Sequence, residues 1–266
     1  MPKLTIITIN FNHIEGLRRT IESVANQTYA DYEWIVVDGG STDGSKELLE
    51  RYQDRFAWWC SEPDKGVYNA MNKGLAHATG MYVNFMNSGD TYALKTTLAD
   101  VFEMEHSADI VYGVMKRCRL DGEPMGVGSI KNDFQWYDIY IDNIGHQAEF
   151  AKRVLYQIKK FDENYKLLAD WDWNAYMIAV ERVSVEFIPK VLCIYEAGGL
   201  SDKLKPKADE ELQIIRNKYF CALTRYDILE YKSLYAVKKY WLTRVLYKLV
   251  LRVVRKIYLH KEIIEI

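Results

Sequence analysis

The stretch Ser61–Asp90, SEPDKGVYNAMNKGLAHATGMYVNFMNSGD, decides the fold. After a polar turn, Val67, Ala70, Met71, Leu75 and Ala78 recur at helical spacing, and the apolar run YVNFMN (82–87) follows and ends at Asp90. A helix feeding a buried strand through a short connection is part of a βαβ unit, and in an open α/β sheet ligands bind beyond the carboxyl ends of the strands. Asp90 stands at such an end, where a carboxylate can hold a cation against a phosphate, so the chain is expected to handle a nucleotide. Asp64-Lys65-Gly66 opens the helix, and its backbone N–H groups and Lys65 are candidates to face that nucleotide. Tyr68, Asn69, Asn72 and Lys73 read as a solvated face, with Asn69 and Lys73 as possible ligand contacts.

Working outward, strands are expected over 4–10, 33–38, 57–60 and 82–87, and helices over about 15–26, from Ser45, and over 66–78. Near-continuous apolar strands and short connections mean a parallel sheet covered on both faces, so residues 1–92 form a nucleotide-binding half. Residues 93–205 read as a mixed half that recognises the acceptor. It has a strand over 108–117, a turn at Asp121-Gly122, an aromatic connection through Phe134, Trp136, Tyr137 and Tyr140, a helix containing ADWDW (169–173), and a strand pair within 183–199. A charged helix from about Lys207 leads into a terminal extension, 206–266.

With 266 residues and 49% hydrophobic content the chain can bury a proper core. Cys60, Cys118, Cys193 and Cys221 show no metal spacing and read as buried free thiols. The sequence passes from MPK straight into a strand with no leader pattern, so a cytoplasmic location is expected. Neither GxxxxGK[ST] nor GxGxxG occurs, which weakens kinase and dehydrogenase readings.

Strand one ends in Thr8-Ile9-Asn10-Phe11-Asn12 and strand two in Asp38-Gly39-Gly40-Ser41-Thr42-Asp43-Gly44-Ser45. Glycines there let the backbone approach a ligand, and Asp38 can accept hydrogen bonds from a nucleobase or ribose. Ser41 and Asp43 serve equally well as helix caps.

Taken together, Thr8–Asn12, Asp38–Ser45, Ser61–Lys73 and Asn84–Asp90 resemble the inverting glycosyltransferases of family 2, and GHQAEF, ADWDW and EAGGLS do so more loosely. The resemblance implies an α/β protein of GT-A type: a Rossmann-like, mostly parallel central sheet flanked by helices, a mixed acceptor-side half, and here a C-terminal amphipathic helical extension. It also implies a nucleoside-diphosphate sugar, with a UDP-sugar as the expected donor, and a divalent cation, Mg2+ or Mn2+, at an Asp-rich strand end. Many members have Asp-x-Asp-Asp where this chain has Asn87-Ser88-Gly89-Asp90, so only Asp90 keeps a carboxylate, and weaker metal binding is expected. On the donor side the resemblance points to Thr8, Asn10, Asn12, Asp38, Gly39, Ser41, Asp64, Lys65, Asn69, Asn87 and Ser88. The base that takes the acceptor's proton maps onto Asp170, with Asp172 in reserve, because side chains two apart on a helix point to different sides. His146 and Trp171 are candidates to contact acceptor or diphosphate, and Gly198-Gly199-Leu200-Ser201 reads as a loop that could close over the donor. The acceptor is expected to be a saccharide or lipid-linked saccharide in surface-polysaccharide assembly.

From Tyr231 to the end there are nine Lys/Arg against two Glu. Lys238, Arg244, Lys248, Arg252, Arg255 and Lys256 fall within one helical arc of about 120°. No charge-free run approaches the roughly 18 residues of a spanning helix, so this helix is expected to lie on the cytoplasmic face of the membrane, with packing on the domain or on a second subunit as the alternative. Nucleic acid is not expected as a partner. Two other functions remain open: a non-catalytic nucleotide-binding scaffold that has lost its metal site, and a sugar nucleotidyltransferase, although Asn10-Phe11-Asn12-His13 does not provide a triphosphate loop.

Overall fold

The apolar strands of the first ninety residues do assemble in parallel. In this computed structural model, which describes residues 1–119, 122–129, 131, 134–198 and 204–220, β1 (Leu4–Asn10) is buried along its whole length. It lies between β2 (Tyr32–Asp38) and β4 (Tyr82–Phe85), and β3 (Trp58–Ser61) flanks β2. The connecting helices are α1 (Ile14–Ala25), α2 (Ser45–Tyr52) and α3 (Val67–Leu75). Burial on both faces is why these strands show runs of Ile and Val rather than alternation. Register sets Asn10 beside Asp38 and Asp38 beside Ser61, so three strand ends present polar side chains in one row.

α3 presses close to β1 at Gly74, where an added Cβ would lie 2.5 Å from Ile7 Cγ2. Contact that close explains a glycine inside a helix, which costs about 1 kcal/mol relative to alanine. Trp34, Ile6, Leu17, Ile21 and Val36 fill the core beneath, each fully buried side chain worth about 1.5–3 kcal/mol.

The second half is mixed, as the sequence reading expects. β5 (Thr91–Tyr92), α4 (Thr97–Phe102), β6 (Ile110–Cys118), β7 (Pro124–Val127), β8 (Glu149–Lys152), α5 (Leu155–Ile158), α6 (Ala169–Ala175), β9 (Val185–Glu196) and α7 (Lys205–Tyr219) follow in order. The sheet runs β3-β2-β1-β4-β8-β6-β9-β5, with β7 paired to β6. β8 is antiparallel to both β4 and β6, while β9 runs parallel to β6. The antiparallel β8 inserts the 146–152 segment beside β4, and this brings the second half up to the strand end at Asn87.

Three expectations need correction. The strand pair within 183–199 is one long strand, β9: its ladder with β6 shifts register around Gly113 instead of turning back, and Pro189, without an N–H, sits on an exposed stretch. The supposed solvated face of α3 is covered, since Tyr68 is buried and Asn72 bonds Phe161 through both backbone groups. The compact unit extends to Tyr219 rather than 205, because Glu211 and Ile215 of α7 are buried against it. Asp121, most of the 198–201 loop, Cys221 and the basic segment 231–256 lie outside the described residues, whereas Cys60, Cys118 and Cys193 are free thiols.

Candidate active site

Two polar clusters stand at the carboxyl ends of the strands. The first is built on Asp38, which is fully buried and whose carboxylate accepts four hydrogen bonds: from Asn10 Nδ2 (2.7 Å), Ser41 Oγ (2.6 Å), the Ser41 amide (2.9 Å) and Ser61 Oγ (2.7 Å). Four bonds fill its acceptor sites. Asn12, in the left-handed region at φ 47°, donates its amide to Ser41 Oγ and accepts the Thr42 amide at Oδ1. Asp43 accepts the first amide of α1, from Ile14, at 2.8 Å, and also holds Ser45. Burial opposes the Asp43 charge, but these bonds overcome it and hold the carboxyl below its usual range. Thr8 is buried and accepts the Trp34 indole N–H at 3.0 Å, so its hydroxyl serves the core.

The rest of this end is more open. Phe11, absent from the residues singled out by sequence, is 65% exposed, and a Cβ at Gly39 would lie 3.2 Å from its ring and 2.6 Å from Asp64 Oδ2. Glycine at 39 therefore preserves the space between Phe11 and Asp64. The signal for Phe11 was present: an aromatic flanked by two asparagines at a strand end. Asn10 Oδ1 is buried with no hydrogen-bond partner. Asp64 caps the Gly66 amide at 2.7 Å and Lys65 is exposed, while Asn69 is tied to Glu163 (2.9 Å) and Lys73 to Glu62 (2.8 Å).

The second cluster joins four distant segments. Asn84, buried in β4, reaches the carbonyls of His146 (3.2 Å), Gln147 (3.1 Å) and Glu149 (2.8 Å) and so seats that segment. His146 then spans two groups: Nε2 lies 3.0 Å from Asn87 Nδ2 and Nδ1 lies 3.2 Å from Asp170 Oδ2. With the Asn87 amide donating, Nδ1 carries the hydrogen directed at Asp170. Asn143 Nδ2 approaches the same oxygen at 3.3 Å, and the Tyr68 hydroxyl lies 3.0 Å from Oδ1. Burial would lower the His146 pKa, but the hydrogen bond and charge of Asp170 outweigh it and raise it. Burial, reinforced by the Asp170 charge, pushes the Tyr68 hydroxyl well up.

Asp90 lies deeper. Gln147 Nε2 (3.0 Å) and the Glu196 amide (3.1 Å) occupy its two oxygens, and burial pushes it up to about 7 against those bonds. Glu149, bonded by Asn174 at 2.9 Å, is likewise pushed by burial to about 7. Ser88 donates to the His13 carbonyl, and the Trp171 indole N–H donates to the Ile139 carbonyl at 2.7 Å. Asp172 is fully buried and committed to Lys159, Lys218 (2.9 Å) and the Tyr219 hydroxyl (3.0 Å). Of the two carboxylates of ADWDW, only Asp170 sits in the cluster with His146.

Among the described residues, no group of three or more His, Cys, Asp or Glu is arranged to hold a metal ion. The strand end does offer Asn87 Oδ1, a buried amide oxygen without a partner, with Asp90 three residues on. One hard neutral oxygen and one carboxylate fit a cation whose remaining ligands come from substrate phosphates and water, as Mg2+ commonly binds.

The Glycosyl transferase family 2 model matches residues 5–168. A PGL/p-HBAD biosynthesis glycosyltransferase of Mycobacterium bovis is 32% identical over 222 residues, covering 77% of this chain and 82% of the relative. An uncharacterized glycosyltransferase of Mycobacterium tuberculosis is 32% identical over 212 residues, covering 78% and 80%. Among solved structures, S. aureus TarS 1–349 in complex with UDP superposes with a TM-score of 0.62 at 21% identity, over 80% of this chain and 64% of that one. The mannosyltransferase PcManGT from Pyrobaculum calidifontis, in complex with GDP-Man and Mn2+, gives 0.61 at 19%, over 82% and 64%. The chain spans less than two thirds of each of these two structures, and at such identity the likeness is one of fold. The sequence matches carry the assignment: this chain is a member of glycosyltransferase family 2.

Proposed function

We propose that the protein is an inverting transferase that moves a sugar from a nucleoside-diphosphate donor, a UDP-sugar first, to a hydroxyl of a saccharide or lipid-linked acceptor, with Asp170 as the base. The observation that carries this is the setting of Asp170: a carboxylate 14% exposed at the start of α6, oriented by Tyr68, Asn143 and His146, and linked through His146 to the strand end at Asn87. In the reaction the acceptor O–H gives its proton to Asp170 as its oxygen attacks the anomeric carbon. The bond from that carbon to the diphosphate oxygen breaks on the opposite face, and the nucleoside diphosphate leaves with the electron pair. His146 donates to Asp170 and keeps the carboxylate aimed. A divalent cation, when bound, would neutralise the leaving diphosphate, and Asn87 and Asp90 are the residues that would hold it.

At the other end, Phe11 offers an aromatic face to the base and Asn10 Oδ1 an unpartnered acceptor, with Asp38 holding both strand ends rigid. The UDP-bound neighbour supports a UDP donor, and the mycobacterial relative named for PGL biosynthesis supports a lipid-linked acceptor in surface glycan assembly. No helix among the described residues is long and apolar enough to cross a membrane. Attachment to the cytoplasmic face of a membrane through the basic segment 231–256 rests on sequence alone.

The test has two steps. UDP-, GDP- and dTDP-sugars are screened for thermal stabilisation, since a ligand that binds only the folded state raises its apparent stability. Asp170→Asn is then assayed with the best donor. Turnover should fall by about 10²–10⁴-fold with the stabilisation retained; full turnover sinks the assignment of the base.

A further inference from the structure

Helix α6, which carries Asp170, begins at Ala169 with no side-chain cap from Leu168. Amides at and before a helix start need acceptors, and the positive end of the helix dipole favours an anion there. A carboxylate supplies both from a different element. Glu211 of α7, 2% exposed, accepts the amides of Lys166 (2.8 Å), Leu167 (3.0 Å) and Leu168 (3.0 Å). Among the described residues no cation pairs with Glu211, so its charge is met by these amides and the helix end.

The opposite edge of the same peptide plane is also held. The Leu167 carbonyl, which shares a peptide unit with the Leu168 amide, lies 2.6 Å from the Tyr68 hydroxyl, and that hydroxyl is 3.0 Å from Asp170 Oδ1. One peptide unit two residues before the base is thus fixed from α7 on one edge and from α3 on the other. α7 itself is anchored: Ile215 is buried, Arg216 Nε donates to the Tyr140 carbonyl at 2.8 Å, and Lys218 and Tyr219 hold Asp172 of α6.

We propose that Glu211 is a positioning residue for the Asp170 base, acting through the 166–168 backbone and touching neither Asp170 nor substrate. The inference rests on Asp170 being the base. Loss of the clamp lets the start of α6 shift relative to His146 and Tyr68, and a misplacement of about 1 Å in a reacting group can cost about 10²-fold in rate.

Glu211→Gln keeps the size but replaces one acceptor oxygen by an NH2 facing backbone donors. In the full chain, hydrolysis of UDP-glucose or UDP-N-acetylglucosamine, whichever stabilises the protein more, reads the base with water as acceptor. E211Q is expected to lower kcat by about 10–100-fold, leave the donor KM and the UDP-induced thermal shift unchanged, and speed hydrogen exchange at amides 166–168. In an Asp170→Asn background it should cause no further loss, since both changes remove the same base.

Wild-type kcat in E211Q beside an inactive D170N overturns the clamp and leaves the base reading standing. Losses that multiply in the double variant overturn it as well, because Glu211 would then act elsewhere. An active D170N overturns the base reading and the inference with it. If E211Q does not fold, Glu211→Asp, whose carboxylate is drawn back by one methylene, carries the same test, and an unchanged kcat there overturns the clamp.

Discussion

The Asp38 cluster and the Asp170 cluster both sit at strand ends, yet they are built on opposite plans. Asp38 is closed: four donors from three neighbouring strand ends fill its carboxylate, with the exposed ring of Phe11 and the buried, unpartnered Asn10 Oδ1 beside it. Asp170 is partly open and surrounded by groups of perturbed protonation, with His146 raised by Asp170 against burial and Glu149 and Asp90 pushed by burial to about 7. A closed network fixes shape, whereas a partly open carboxylate among shifted groups is suited to moving protons. Under the proposed function, the closed cluster is the rigid holder for the nucleotide and the partly open one is the chemical end that serves the acceptor.

Substitutions at the two ends should therefore fail differently. The largest effect belongs to Asp170→Asn, a kcat loss of about 10²–10⁴-fold with UDP binding intact. Asp38→Ala should do the reverse. It strands the donors of Asn10, Ser41 and Ser61, so unfolding free energy should drop by about 3 kcal/mol and UDP stabilisation should weaken, as read by denaturant melts. Tyr68→Phe removes one hydrogen bond to the base region and should lower kcat by about fivefold, with donor KM unchanged. Asn87→Asp restores a strand-end charge, and the Mn2+ concentration giving half-maximal activity should fall several-fold.

A further effect is on pH dependence. Asp90 and Glu149 are raised from 3.8 and 4.5 to about 7, so between about pH 4 and 7 the folded chain keeps protons that the unfolded chain has released. Stability must then fall as pH rises through that window and level off above it. His146, also raised, loses its contribution as pH climbs through its folded value, in the same direction. In Asp90→Asn the drop in melting temperature from pH 5 to 8 should be shallower by about 5–10 °C.

How much could be read in advance follows the same division. The parallel half and its strand-end motifs lie in consecutive βα units, so periodicity and turn residues announce them, and the family resemblance is confirmed by a profile match over residues 5–168. The second cluster draws on residues 68, 84, 143, 146 and 170, brought together by β8 inserting antiparallel beside β4, and no local pattern encodes that. Tyr68 illustrates the limit: helical spacing marks one apolar face of α3 but cannot reveal that residues 161–167 cover the other. Glu211 read as one charge in a charged helix, and its burial depends on a loop more than forty residues earlier in the chain. The strand end marks Asp90, but the partners of its two oxygens, Gln147 and Glu196, and the burial that raises its pKa come from segments far along the chain.

The central claim is a single displacement assisted by one base, and stereochemistry tests it without a known acceptor. Proton NMR of the sugar released by hydrolysis of UDP-α-glucose, or of UDP-α-N-acetylglucosamine if that is the better donor, can be recorded before the anomers interconvert. A single displacement releases the β-anomer first; first appearance of the α-anomer would contradict it.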